Sequence, residues 1–323
     1  MKRIAVMTSG GDSPGMNAAV RAVVRCGMGL GADVYGIKRG YAGLMENDIV
    51  ELDSRMVGGC IRSGGTILLS ARSKEFTTDV GQCKAMDVLH GWGIEGLVVI
   101  GGDGSLNGAN ALSKRGFPIV GIPASIDNDI AETEMSLGVD TALDTILGAV
   151  DRIKDTASAH QRAFIIEVMG RRHGYLALAA GIAGGAEMVV LPDSIVDKET
   201  VMKAVKSAFF RGKPHFIIIA AEGASCPEKS ITSLLMDYVT EAGHEPRCTV
   251  LGHVQRGGSP TCYDRLLGTR LGAAAVDCLM AGQTGVMVGV QAGNIVATDL
   301  EKVLSGSPAL NADLLKLTTP LAM

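Results

Sequence analysis

Short β-branched runs alternate along the chain with longer stretches of helical spacing. Arg3–Met7 reads as a strand, Thr8–Gly15 (TSGGDSPG) as a glycine-rich loop, Met16–Met28 as a helix and Asp33–Ile37 as the next strand. Leu97–Ile100 is a second buried-strand pattern that runs into Gly101-Gly102-Asp103-Gly104-Ser105. A helix is predicted from Ser105, with Leu106, Ala109 and Leu112 on one side, and then a strand over Pro118–Ile122. Leu143, Ile146, Val150 and Ile153 recur at helical intervals within Ala142–Lys154. Phe164–Val168, Met188–Leu191, His215–Ala220 and Thr249–Val254 read as strands, with helices over Lys198–Phe210 and Ile231–Ala242. A small-residue helix follows MGRRHG, a long helix covers Pro260–Met280, and Gly285–Gln291 is the final predicted strand. Strand and helix alternating in this way predict an α/β fold with mostly parallel, doubly wound sheets.

Composition narrows the class. With 323 residues, 47% of them hydrophobic, the chain can bury a large core, and this length usually means two domains. Net charge is −4 and aromatics make up 4%, which points away from nucleic acid and membrane surfaces as partners. The seven cysteines (26, 60, 83, 226, 248, 262 and 278) are odd in number and lack CxxC spacing. They read as reduced structural thiols of a cytoplasmic protein. MKRIAVMTSGG lacks a signal-peptide core, and no apolar run is long enough for a membrane span.

Candidate chemistry collects after the strands. Adjacent glycines in GGDGS let a backbone approach a ligand closely, and a helix start offers N–H groups to an anion. The loop is not a Walker A sequence, and Asn107 stands where GxGxxG would need its third glycine. Asp103 beside a phosphate cradle would repel phosphate unless Mg²⁺ lay between them. After the next strand, Pro123-Ala124-Ser125-Ile126-Asp127-Asn128-Asp129 sets two acids around an amide, where α/β sheets keep their sites. One acid could accept a hydroxyl proton and the other help to hold metal, so phosphoryl transfer is expected. Arg72, Arg162, Arg171, Arg247 and Arg256 lie beside glycine loops and suit bidentate phosphate binding.

The series TSGGDSPGMNAAVR (8–21), GGDGS (101–105), PASIDND (123–129), SAHQR (158–162), EVMGRRHGYLALAA (167–180) and VLGHVQRGGSP (250–260) resembles the bacterial ATP-dependent 6-phosphofructokinases over nearly the whole chain. That resemblance implies two α/β/α sandwich domains, an ATP-binding one over 1–138 plus 260–307 and a sugar-phosphate-binding one over 139–259 plus 308–323. It implies transfer from ATP to the 1-hydroxyl of fructose 6-phosphate, giving fructose 1,6-bisphosphate, in a cytoplasmic homo-oligomer, usually a tetramer. The alternatives are a pyrophosphate-dependent enzyme of the same family and a non-catalytic metabolite-binding regulator.

Position by position, Gly11, Tyr41, Arg72, Ser73, Gly102, Asp103, Gly104 and Ser105 resemble the nucleotide site, with Asp103 at Mg²⁺. Asp127 resembles the base, and Gly11, Arg72 and Arg171 complete the catalytic set. Ser125, Ile126, Asp129, Met169, Gly170, Glu222, His253, Val254, Gln255 and Arg256 resemble sugar contacts. The equivalents of Arg162 and Arg247 reach the 6-phosphate from a neighbouring subunit. Arg21, Arg25, Lys154, Gly185, Glu187, Arg211, Lys213 and His215 resemble a site for ADP or phosphoenolpyruvate. Ser125 stands where threonine is common, Ala124 where glycine is, and Ser73 where an aromatic often sits. Ser54 and Gly59 replace a basic and an acidic residue of the effector pocket.

Overall fold

The computed structural model describes residues 1–192, 194–224, 229–308 and 310–321. In chain order the elements are β1 (Arg3–Ser9), α1 (Met16–Gly29), β2 (Asp33–Ile37), α2 (Gly40–Met45), β3 (Ile49–Leu52), α3 (Asp79–Gly91), β4 (Gly96–Gly101), α4 (Asp103–Lys114) and β5 (Ile119–Pro123). There follow α5 (Val139–His160), β6 (Ala163–Val168), α6 (Tyr175–Ala183), β7 (Met188–Val190), α7 (Lys198–Phe210), β8 (Phe216–Ala221), α8 (Ile231–Glu241) and β9 (Pro246–Val250). The chain closes with α9 (Cys262–Met280), β10 (Val286–Gln291), β11 (Asn294–Asp299), α10 (Leu300–Ser305) and α11 (Ala312–Leu321).

Internal contacts divide the chain into two compact units, Met1–Thr141 with Arg256–Pro308, and Ala142–Gln255 with Ala309–Met323. The first unit holds a seven-stranded sheet in the order β11-β10-β5-β4-β1-β2-β3. Its inner pairs are parallel, and both edge strands, β3 and β11, run antiparallel to their neighbours. Successive side chains of a strand face opposite sides, and β1 uses both. Ile4 and Val6 join the α1 and α9 side of the core, whereas Ala5 and Met7 join Tyr41, Leu89 and Leu106 on the other. Helices α1 and α9 pack so closely that a Cβ at Gly268 or Gly272 would fall 2.7 or 2.6 Å from the backbone oxygens of Gly15 or Ala19.

The second unit holds a four-stranded parallel sheet, β7-β8-β6-β9. Ile165, Ile218 and Ala220 pack with Val205 of α7 and Leu235 of α8. Small residues of α6 allow it to sit tightly on the sheet, since a Cβ at Gly181 would overlap Val189 at 2.2 Å. The fold is the α/β class that the alternation predicts.

Four element readings need correction. Helix α4 starts at Asp103, two residues before the predicted Ser105, because extended Gly102 serves as its N-cap. Helix α5 runs from Val139 to His160, well beyond Ala142–Lys154 at both ends. The strand expected over Thr249–Val254 is β9, Pro246–Val250; Gly252 turns to φ 54°, and Gly252–Arg256 forms a 3-10 turn. Gly285–Gln291 is not the last strand, because β11 folds back on β10.

Candidate active site

The strand order of the first sheet reverses between β1 and β4, where doubly wound sheets open a crevice beyond their strand ends. Ser9 is in register with Gly101, and Gly101 with Pro123, so the loops after β1, β4 and β5 emerge side by side. The fit between them is close. A Cβ at Gly101 would lie 2.5 Å from the Ser9 carbonyl oxygen and 2.6 Å from Ser105 Oγ. The Ser70 hydroxyl donates to the Gly10 carbonyl at 2.6 Å, and the Thr8 hydroxyl donates to that of Leu69 at 2.8 Å. The stretch leading to exposed Arg72 is therefore tied to the end of β1.

Asp103 is exposed in the first turn of α4, where a carboxylate is favoured by the helix dipole. Asn107 holds it with a side-chain hydrogen bond of 3.3 Å. Nothing approaches within 4 Å of where a Cβ at Gly104 would stand, so the cradle is open at that point. Tyr41 lies behind the cradle. It is buried and stacked on Phe76 at 3.9 Å, and its hydroxyl donates to the Ser105 carbonyl at 2.7 Å. Ser73 Oγ accepts from the backbone of Phe76 and starts the turn that carries this aromatic pair.

The acidic loop is built around Asn128. This residue is 9% exposed and takes a left-handed conformation (φ 50°), which Asn tolerates better than most residues. Its amide donates to the Glu134 carbonyl at 3.1 Å and accepts from Ser136 N at 3.0 Å. Ser136 Oγ in turn donates to the Ser125 carbonyl at 2.6 Å. The flanking acids are thereby set, and the Ser125 hydroxyl donates to Asp129 at 2.6 Å. Ile126 is wholly buried, so its part in any site is through its backbone. Arg256 lies over the β1 loop, with Nη1 donating to the Asp12 carbonyl and standing 2.7 Å from where a Gly11 Cβ would be.

In the second unit, β6 leads into Met169-Gly170-Arg171. Gln255 is wholly buried, accepts from Met169 N at 3.2 Å and donates to the Gly252 carbonyl at 2.9 Å. It fastens this turn to the His253–Val254 loop, both of whose residues are exposed. Arg171 is 84% exposed and 3.5 Å from Glu222. Burial, and then the neighbouring Glu222, push the Glu167 carboxyl above the usual range. Arg162 and Arg247 converge on one carboxylate, Glu245: Arg162 pairs with it at 2.8 Å and Arg247 with its other oxygen.

The effector candidates divide between the units. Arg21 and Arg25 lie on α1 in the first unit, with Arg25 donating to the Ser54 carbonyl at 3.4 Å. The other six are in the second unit. Lys154 donates to the carbonyls of Gly184 and Gly185, and Lys213 pairs with buried Glu187 at 3.1 Å. His215 is bonded to Ser158 at 2.8 Å. Its pKa is lowered, first by burial, then by Lys154 and Lys213, against an opposing pull from Glu187. Arg211 stands just after α7 and donates to Ser207 at 2.5 Å.

Sequence reasoning overlooked the structural parts of Asn128, Ser136 and Gln255. Only Asn128 left a signal, as an amide between two acids in a turn. The described cysteines are free thiols, with burial pushing Cys26, Cys60, Cys248 and Cys278 up and away from the thiolate. Cys226 lies outside the described residues. No helix among the described residues is long and apolar enough to cross a membrane.

A glycine cradle, an exposed carboxylate and a fixed acidic loop at the switch point of a doubly wound sheet define an α/β protein built to receive a phosphorylated ligand. Residues 3–279 match the family model described as Phosphofructokinase. Among curated relatives, an ATP-dependent 6-phosphofructokinase of Natranaerobius thermophilus is 52% identical over 323 residues, covering all of both chains. One of Halalkalibacterium halodurans is 50% identical over 327 residues, again covering all of both. The solved phosphofructokinase of Saccharomyces cerevisiae superposes with a TM-score of 0.87 at 38% identity, covering 94% of this chain and 45% of the yeast one. The chain belongs to the phosphofructokinase family.

Proposed function

We propose that this chain transfers the terminal phosphoryl group of ATP to the 1-hydroxyl of fructose 6-phosphate, with the first unit taking the nucleotide and the second the sugar phosphate. The observation that carries the reading is the side-by-side emergence of the Gly10–Gly11, Gly102–Ser105 and Ala124–Asp129 loops, with Asp127 held by the Asn128 anchor. Full-length identity of 52% to a relative named for ATP supports the nucleotide as donor.

Phosphoryl transfer through a loose transition state needs alignment and charge neutralisation more than covalent help. Asp127 orients the sugar hydroxyl and accepts its proton. The N–H groups at the start of α4 and the Gly11 backbone receive the phosphates. Arg72 of the first unit and Arg171 of the second are each exposed, and each suits the charge of a phosphoryl group. In the first unit the residues suited to the sugar are Ser125, Asp129 and Arg256; in the second they are the Met169–Gly170 backbone, Glu222 and His253. Arg162 and Arg247 take the 6-phosphate of a sugar bound by a neighbouring subunit of a homotetramer. Their common pairing with Glu245 supports the reading, since both guanidinium forks reach one carboxylate.

Mg²⁺ fits Asp103. Among the described residues no group of three ligating side chains could hold a metal unaided, and a lone exposed carboxylate suits an ion that takes its other ligands from phosphates and water. When bound, it would neutralise charge on the β- and γ-phosphates. Lys154, Gly185, Glu187, Arg211, Lys213 and His215, with Arg21 and Arg25 of a neighbouring subunit, form a second anion site for ADP or phosphoenolpyruvate. The enzyme works in the cytoplasm.

The test is a coupled assay offering ATP or pyrophosphate, with and without fructose 6-phosphate. Turnover is expected only with ATP and the sugar phosphate together. Robust turnover with pyrophosphate, or none with ATP, would overturn the reading.

A further inference from the structure

Two helix starts, those of α5 and α9, meet at one buried carboxylate. Asp264, in the first turn of α9, is 0% exposed. It accepts from Gly138 N at 2.9 Å, Thr141 N at 2.9 Å and Thr141 Oγ1 at 2.6 Å, all at the start of α5. The exchange is mutual. Thr261, which caps α9, donates from its hydroxyl to Asp140 of α5 at 2.6 Å and from its backbone to Thr141 Oγ1 at 3.1 Å. Gly15, which precedes α1, packs against the backbone of the same residue, since a Cβ there would fall 3.1 Å from the Asp264 carbonyl and 3.4 Å from Asp264 Cβ. It offers α1 no side-chain cap. Helix N-termini carry partial positive charge and unpaired N–H groups. Those of α5 and α9 together would repel, and the carboxylates of Asp264 and Asp140 compensate them. Burial raises the Asp264 carboxyl's pKa, against the pull of the Thr141 and Gly138 bonds.

What this knot holds bears on the reaction. A Cβ at Gly138 would lie 2.6 Å from Ser13 Cβ, 3.0 Å from Pro14 Cδ and 3.1 Å from Ile126 Cγ2. The backbone that Asp264 grips is thus wedged between the β1 loop and Ile126, the residue directly before Asp127. Leu137 also reaches back to Ala124 in a β-bridge, closing the acidic loop at its base.

We infer that Asp264 is a positioning residue for phosphoryl transfer: by clamping Gly138 and Thr141 it fixes Ile126, and through it the carboxylate of Asp127. This rests on Asp127 acting as the base. An amide in place of the carboxylate keeps the shape but presents at most one acceptor oxygen to three donors. A base displaced by a fraction of an ångström loses rate far more than substrate affinity.

The test is a double-mutant cycle with Asp264→Asn and Asp127→Asn, reading kcat, the KM of each substrate and thermal stability. Asp264→Asn is expected to lower kcat at least tenfold with both KM values within about threefold of wild type. In the Asp127→Asn background the same change is expected to cost less than threefold, because no base remains to misplace. A purely structural residue would cost the same factor in both backgrounds, and that result, or a single-variant kcat within threefold of wild type, overturns the inference. If Asp127→Asn alone leaves kcat near wild type, the assignment of the base fails, and the inference falls with it. Should Asp264→Asn fail to fold, Thr141→Val takes its place in the cycle. It removes the hydroxyl that donates to Asp264 and accepts from Thr261 N while nearly keeping the volume, and the expected loss is at least threefold, again shrinking in the Asp127→Asn background.

Discussion

Replacing Asn128 separates the two ways in which it holds the acidic loop. Asn128→Gly keeps the left-handed backbone and removes the amide. The buried N–H of Ser136 then loses its acceptor, while the Glu134 carbonyl belongs to an exposed residue and can turn to water. One buried donor left unpaired costs about 1–3 kcal/mol. At roughly 2–4 °C per kcal/mol for a domain of this size, the melting temperature should fall by about 2–12 °C. Asn128→Ala loses the same bonds and in addition forces a Cβ into φ 50°, which costs about 1 kcal/mol more, or a further ~2–4 °C. Both variants should lose at least tenfold in kcat, since Asp127 and Asp129 no longer stand on a fixed turn. The assays are differential scanning calorimetry and steady-state kinetics on the same preparations. Equal melting temperatures for the glycine and alanine variants would refute the backbone part. An Asn128→Gly enzyme as stable and as fast as wild type would refute the anchoring part.

Gly104→Asp should fold normally, because no atom lies within 4 Å of the added Cβ, yet raise the KM for ATP by about 10²- to 10³-fold. Two like charges about 4 Å apart at an effective dielectric of about 20 repel by ~4 kcal/mol; an unchanged KM would remove Gly104 from nucleotide recognition. Burial lowers the pKa of His215, so the unfolded chain takes up its proton first on acidification. Stability is therefore complete above about pH 6.5, the ordinary histidine value, and lost as pH falls through the lower folded value; melting curves from pH 7.5 to 5.5 should slope less for His215→Gln, and an equal slope would refute the assignment. Mixed oligomers of Asp127→Ala and Arg162→Ala subunits should regain activity above either parent if the 6-phosphate site is shared between subunits, and stay at the parental level if it is not.

Much of the fold could be read from the chain because its strands are short β-branched runs buried on both faces, as Ile4–Met7 and Leu97–Ile100 are. Strand β11 escaped because its residues are only half-buried and its turn is unusual. Ala292 and Gly293 both have positive φ, a geometry for which Asn-Gly or Asp-Gly is the familiar signal. Strand β9 starts three residues and ends four residues before the predicted Thr249–Val254, a stretch that looks apolar and β-branched, while the left-handed Gly252 ends the extended run. At the site, the glycines and acids were legible as residue types with an obvious chemistry. The side chains that hold them were not. Asn128 depends on Glu134 and Ser136, Gln255 on Met169, and Asp264 on Gly138 and Thr141, partners brought together only by folding. Tyr41, which the resemblance assigns to the nucleotide site, stacks on Phe76 and ties its hydroxyl to the Ser105 carbonyl, partners that no local pattern in the sequence announces.

The claim at the centre of this account is that Asp127 accepts the proton of the attacking hydroxyl. Steady-state kinetics of Asp127→Asn with ATP and fructose 6-phosphate tests it most directly. Because a positioned base contributes about 10²–10⁴-fold, kcat should fall by that order while the KM for fructose 6-phosphate stays within a few-fold of wild type. A kcat within a few-fold of wild type would contradict the account and move the base to another residue.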